Sequence, residues 1–129
     1  MKDSEVLSAA AEIVMNGFAK DGYALNEAGL RVDIMSPDAK TFCMLGAVTR
    51  IKGDLREADI IVNRWVSPLL PKRITIIGGQ SAYVLREAAP NVRQYPQSPR
   101  IWNDEPMRTK EQVAAVLREA AKSAANGGQ

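Results

Sequence analysis

Three places in the chain hold groups whose type and spacing could do chemistry. Asp104 and Glu105 stand side by side, with Asn103 before them, just ahead of the last helical stretch. Paired carboxylates can pass protons or hold a divalent cation. Asn and Asp also bond their own backbone, and a turn built that way ahead of Pro106 is the plainer use of these residues. The second place is Ile76-Ile77-Gly78-Gly79-Gln80-Ser81. A strand running through two glycines into a helix start would aim unpaired amides at whatever lies in front of them, which favours an anion. The pattern lacks the Gly-Lys-Thr/Ser of a phosphate loop and the third glycine of a dinucleotide fingerprint, so a plain strand-to-helix turn competes with that reading. Cys43, the only thiol, is the third place. A nucleophilic thiolate needs a base or a positive neighbour. Flanked by Phe42, Met44 and Leu45, Cys43 reads instead as a buried core cysteine.

Lys72, Arg73, Arg86, Arg93 and Arg100, with Tyr95 and Trp102, could make a basic and aromatic face for single-stranded nucleic acid. The charge balance argues for scattered, solvated side chains. Lys and Arg number 17 against 15 Asp and Glu, a net charge of +2 with no basic run, and the isoelectric point near 8.8 lies below that of a dedicated nucleic-acid binder. Histidine is absent. That removes the usual general base near neutral pH, the Ser-His and Cys-His pairs, and the commonest zinc ligand. A single cysteine excludes an intramolecular disulfide and a thiolate metal cluster, as expected in a reducing compartment. The N-terminal stretch does not read as a signal peptide, and no apolar run approaches a membrane span. A soluble, cytoplasmic protein is expected.

These groups need a scaffold, and 129 residues suffice for one globular domain, 1–129, with one core. The best-specified element is the last helix. Thr109 and Gln112 form a capping box, and Val113, Val116, Leu117, Ala120 and Ala124 recur on one face. The tail, about 123–129, is expected to fray. A first helix is expected from Asp3 or Ser4, with Val6, Ala10, Ile13, Val14, Gly17 and Phe18 inward, ending at a left-handed Gly22. Residues 23–25 and 30–34 flank Asn26-Glu27-Ala28-Gly29 as a small hairpin. Ser36-Pro37-Asp38 opens a second helix, apolar nearly all round from Phe42 to Ile51, closed by Gly53 and placed at the centre. Gly46 inside it costs about 1 kcal/mol against alanine, so it should serve the close approach of another backbone. Asp54 and Glu57 cap a third helix with Leu55, Ala58, Ile61, Val62 and Trp65 on its face. Residues 73–77 read as a short buried strand, 80–89 as a short helix and 90–99 as an extended loop. The fold class is α+β, mostly helical with about five helices, a small β-hairpin and one further short strand. An all-helical bundle is the alternative.

The chain resembles a small family of uncharacterised bacterial and bacteriophage proteins, a domain of unknown function. The likeness rests on the first amphipathic helix, Gly29 of the turn, Ser36-Pro37, Cys43-x-x-Gly46-Ala47, Trp102-Asn103-Asp104, Pro106 and Arg108-Thr109. Residues 66–99 depart from the pattern. The resemblance implies a fold and a bacterial or phage setting, and no catalytic residue.

A well-formed core without recognisable chemistry points to a non-enzymatic binding protein. It would be a small accessory factor that inhibits a host or bacterial partner protein, or sequesters a small anionic or nucleotide-like ligand. Ligand contacts are expected at Gly78, Gly79, Gln80, Ser81, Arg73, Trp102, Asn103 and Asp104. No catalytic residue, metal ligand or cofactor is assigned, and the sequence does not set the oligomeric state. Two other classes remain open. One is an enzyme using Asp104 and Glu105, with Mg2+, on a phosphorylated substrate near Gly78 and Gly79, which requires all of these to share one cavity. The other is nucleic-acid binding, betrayed by steep salt dependence.

Overall fold

Two helices at opposite ends of the chain form the backbone of the core. The computed structural model describes residues 1–71 and 98–129, together with the backbone of strands at 73–76, 80–83 and 92–95. Helix α1 spans Asp3–Asn16 and buries Val6, Leu7, Ala10, Ala11 and Val14. It packs along the last helix, Lys110–Asn126, labelled α5 below, whose buried face is Val113, Ala114, Leu117, Ala120, Ala121 and Ala124. Alanine at so many facing positions lets the two axes approach closely. The expected capping box is present: Thr109 Oγ1 accepts from the Gln112 N–H at 3.2 Å, and Gln112 Oε1 accepts from the Thr109 N–H at 3.1 Å. Helix α5 runs past residue 123, where the tail is expected to begin. The helix continues to Asn126, and the Gln129 carbonyl then accepts from the Ser4 N–H at 2.9 Å and the Ser4 hydroxyl at 3.2 Å. Tertiary bonding to α1 thus supplies partners that a tail of small residues lacks by itself.

The end of α1 also differs from expectation. The helix stops at Asn16, and Gly17 is extended, because Gly17 and Phe18 meet the chain at 40–42: a Cβ on Gly17 would collide with the Lys40 carbonyl. The left-handed residue is Asp21, at φ 61°, and not Gly22. Strand β1, Ala24–Leu25, pairs antiparallel with β2, Thr41–Phe42. The hairpin turn at Asn26 does form. Asn26 Oδ1 accepts from the Ala28 and Leu30 amides, and a single antiparallel bridge joins Leu25 to Arg31. The ladder itself is made with residues 41–42, further along the chain.

Ser36 and Pro37 therefore do not open a helix. Local turns held by Asp33 Oδ1 and Ser36 Oγ occupy that stretch, and α2, Met44–Lys52, begins only after β2. Its residues Met44 to Thr49 are all buried, which places it at the centre, against α1 on one side and α3, Leu55–Trp65, on the other. Gly53 turns the corner at φ 83°, and Asp54 Oδ1 caps α3 through the Glu57 N–H at 2.9 Å. Trp65 Nε1 donates to Asp3 Oδ2 at 2.9 Å, tying α3 back to the start of α1.

The middle of the chain forms a second sheet, separate from the first, of antiparallel strands in the order β4-β3-β5. Strand β3 is Arg73–Ile76, β4 is Gln80–Tyr83 and β5 is Val92–Tyr95. Thr75 pairs with Ser81 on one side and with Arg93 on the other. Two expectations change here. Residues 80–83 are a strand and not the first turn of a helix, and residues 92–95 are a strand within what reads as a proline-rich loop. Cross-strand partners, which a local reading cannot see, decided both. The short helix α4, Pro99–Asp104, completes the fold. The fold class is α+β and mostly helical, and among the described residues no helix is long and apolar enough to cross a membrane.

Candidate functional site

The junction of α2, α4 and the segment after α1 is organised by Asn103. This side chain is 1% exposed. Its Oδ1 accepts from the Met44 N–H at 3.0 Å, and its Nδ2 donates to the Ala19 carbonyl at 3.2 Å and to Asp104 Oδ1 at 2.9 Å. Met44 is the first residue of α2, so Asn103 supplies a partner for an amide with none inside its own helix. The next free amides are met by Cys43. Its Sγ accepts from the Gly46 N–H at 3.3 Å. Burial pushes the Cys43 thiol up, against backbone bonds from Gly46 and Leu45 that lower it; Asp104 adds to the rise and Arg100 opposes it. Cys43 is a neutral capping group. The positive end of α2 is consumed internally and presents no open anion nest.

Gly46 explains why the Cys-x-x-Gly pattern belongs there. A Cβ at this position would strike the backbone carbonyl of Tyr23. That same carbonyl accepts from the Cys43 N–H at 3.2 Å. Helix α2 therefore lies directly on the backbone of Tyr23 and fixes where its side chain stands.

Beside this junction opens a cleft of about 260 Å3, lined by Asp21, Gly22, Tyr23, Arg31, Cys43, Arg100 and Asp104. Arg31 Nη2 donates to the Asp21 carbonyl at 2.8 Å. Arg100 Nη1 donates to the Tyr23 hydroxyl at 3.3 Å, and its guanidinium lies 5.5 Å from the Tyr23 ring centroid. Among the described residues neither arginine forms an ion pair. The left-handed Asp21 sits at the rim, a backbone conformation that Asp adopts more readily than most residues.

The residues singled out in the sequence scatter. Asp104 lines the cleft. Trp102 and Asn103 are its neighbours but are buried inside the fold. The Arg108 guanidinium lies 3.8 Å from the Trp102 ring centroid, and its Nε donates to the Trp102 carbonyl at 3.0 Å, so the indole serves packing and offers no face for a base. Glu105 pairs with Arg108 at 2.8 Å. The expected turn built by the Asn103 and Asp104 side chains is not what forms: both residues lie in α4, and Asn103 reaches Met44 and Ala19 instead. Among the described residues no group of three potential metal ligands exists. Gly78 and Gly79 lie outside the described residues, as do Lys72, Arg86 and the side chains of Arg73, Gln80, Ser81, Arg93 and Tyr95. With Gln80–Tyr83 a strand, the helix start on which the anion reading of Gly78 to Ser81 rested is absent.

Sequence reasoning missed Asp21, Tyr23 and Arg31. Only the Asp21-Gly22 dipeptide carried a local signal, that of a turn. Arg31 and Arg100 come from opposite halves of the chain, and nothing in their spacing announces that they meet.

Comparison with curated proteins and with solved structures gave no match. A family match does cover residues 1–123, and so includes the middle stretch that the motif likeness left out. The chain belongs to the family of unknown function DUF6197.

Proposed function

We propose that the protein is a non-enzymatic binding protein, a bacterial or phage accessory factor of the cytoplasm, that captures a small ligand bearing an anionic group in the cleft between Arg31 and Arg100. The observation that carries this reading is how the two arginines are held. Each is oriented by a neutral oxygen, the Asp21 carbonyl and the Tyr23 hydroxyl, so neither guanidinium charge is cancelled by a carboxylate partner among the described residues. Guanidinium groups fixed in this way form charge-assisted bonds to carboxylate, sulfonate or phosphate oxygens at little further entropic cost. Tyr23 supplies a ring beside them, and its backbone is held by the contact with Gly46.

Isothermal calorimetry of the full chain against acetate, inorganic phosphate and AMP tests this. Binding by at least one of them, lost in Arg31→Ala and in Arg100→Ala while the circular dichroism spectrum is retained, is the expected result. Affinity unaltered by both substitutions would sink the reading.

A further inference from the structure

The arginines are only half of the charge in the cleft. Asp21 and Asp104 line the same cavity, so two acidic residues stand with the two arginines around it. Charges of opposite sign in so small a space would ordinarily be expected to pair. Here they do not: the ion pairs among the described residues are Asp3 with Arg64, Glu105 with Arg108, Glu12 with Arg118 and Glu119 with Lys122. Each cleft charge is positioned by a neutral group or by the backbone. Asp104 Oδ1 accepts from Asn103 Nδ2 at 2.9 Å, and Asn103 is itself pinned by Met44 and Ala19. Asp21 is set by its left-handed backbone, φ 61°, with its carbonyl engaged by Arg31.

We infer that the cleft takes a small zwitterion, a molecule carrying both a compact anionic group and a protonated amine, of the amino-acid or ω-amino-acid class. This rests on the capture of an anionic group by Arg31 and Arg100 proposed above and narrows what that group is attached to. A ligand with only an anion would gain the arginines and meet repulsion from Asp21 and Asp104; a simple amine would face the converse. Only a ligand with both signs is complementary to all four side chains, and discrimination against one-signed competitors comes from the repulsive half of the set. Size points the same way. At about 260 Å3 the cleft lies just below the ~300–1,000 Å3 range of pockets that enclose drug-sized ligands. A free amino acid suits that volume, and a dinucleotide does not.

The test uses the full chain and a probe panel read by calorimetry and by ligand-detected NMR. Glycine, 4-aminobutyrate and L-lysine represent zwitterions, acetate and inorganic phosphate represent anions alone, and butylamine represents amines alone. At least one zwitterion is expected to bind about tenfold or more tightly than acetate and than butylamine, a difference of about 1.4 kcal/mol. Asp104→Asn retains an oxygen for the Asn103 bond and removes the charge. It should weaken the zwitterion and strengthen acetate, so that their affinity ratio collapses. Asp21→Asn is the second variant, and a collapsed ratio in it is required if Asp104→Asn does not fold. Acetate or phosphate binding as tightly as every zwitterion, with loss of binding in Arg100→Ala, would overturn the zwitterion while leaving anion capture standing. Silence from the whole panel would overturn both.

Discussion

Two buried backbone groups from distant segments depend on the Asn103 side chain. Replacing it with alanine leaves the Met44 amide and the Ala19 carbonyl buried without partners, and each such group costs about 1–3 kcal/mol. Asn103→Ala is expected to lower stability by roughly 3 kcal/mol in urea unfolding. A loss under about 0.5 kcal/mol, the scale of ordinary surface changes, would show that the bonds are dispensable. Cys43 is the second case. Its thiol is pushed up by burial, so the folded protein holds the proton above the pH at which the unfolded thiol releases it. The contribution is complete below the unfolded value of about 8.5 and is eroded as pH rises above it. Alkylation by iodoacetamide at neutral pH should accordingly be slower than for a free thiol by about tenfold or more and become fast in denaturant. Rapid alkylation of the native protein would contradict a buried neutral cap.

At the scale of elements, helix α2 is held against Tyr23 by the absence of a side chain at residue 46. Gly46→Ala gains about 1 kcal/mol in helix propensity. It also drives a methyl into a backbone carbonyl that has no rotamer to change, and overpacking of that kind costs about 1–3 kcal/mol or more. Net destabilisation is the expected sign, and because Tyr23 lines the cleft, affinity for the proposed zwitterion should fall with it. A stabilised Gly46→Ala protein would mean that the Tyr23 segment yields freely. The capping residues of α3 and α5 behave differently. Asp54 with Glu57 and Thr109 with Gln112 are satisfied within a few residues, which is why both helix starts were legible in the sequence.

For the whole molecule, the pairing of α1 with α5 closes the fold by joining its two ends. Leu117 is fully buried in that seam. Leu117→Ala should cost about 3 kcal/mol by leaving a cavity among side chains already mostly alanine and valine. Because α1 and α5 share one core, hydrogen exchange should speed up in both helices together. Faster exchange in α5 alone would show that α1 has its own support.

What the sequence determined by itself was much of what closes within about one helical turn: the caps at Asp54 and Thr109, the apolar stripes of α1, α3 and α5, and the left-handed Gly53. These depend on local hydrogen bonds and on side-chain periodicity, both written in neighbouring residues. Tertiary structure decided the rest. Residues 41–42 became a strand because β1 and Phe18 were there to pair with them, α1 stopped at Asn16 because the chain at residue 40 lies against Gly17, and residues 80–83 and 92–95 became strands on either side of β3. The cleft belongs to this second kind. Arg31 and Arg100 share a cavity only because α2 lies on Tyr23 and Asn103 ties α4 to Met44 and Ala19, long-range contacts between segments that carry no local signal of one another.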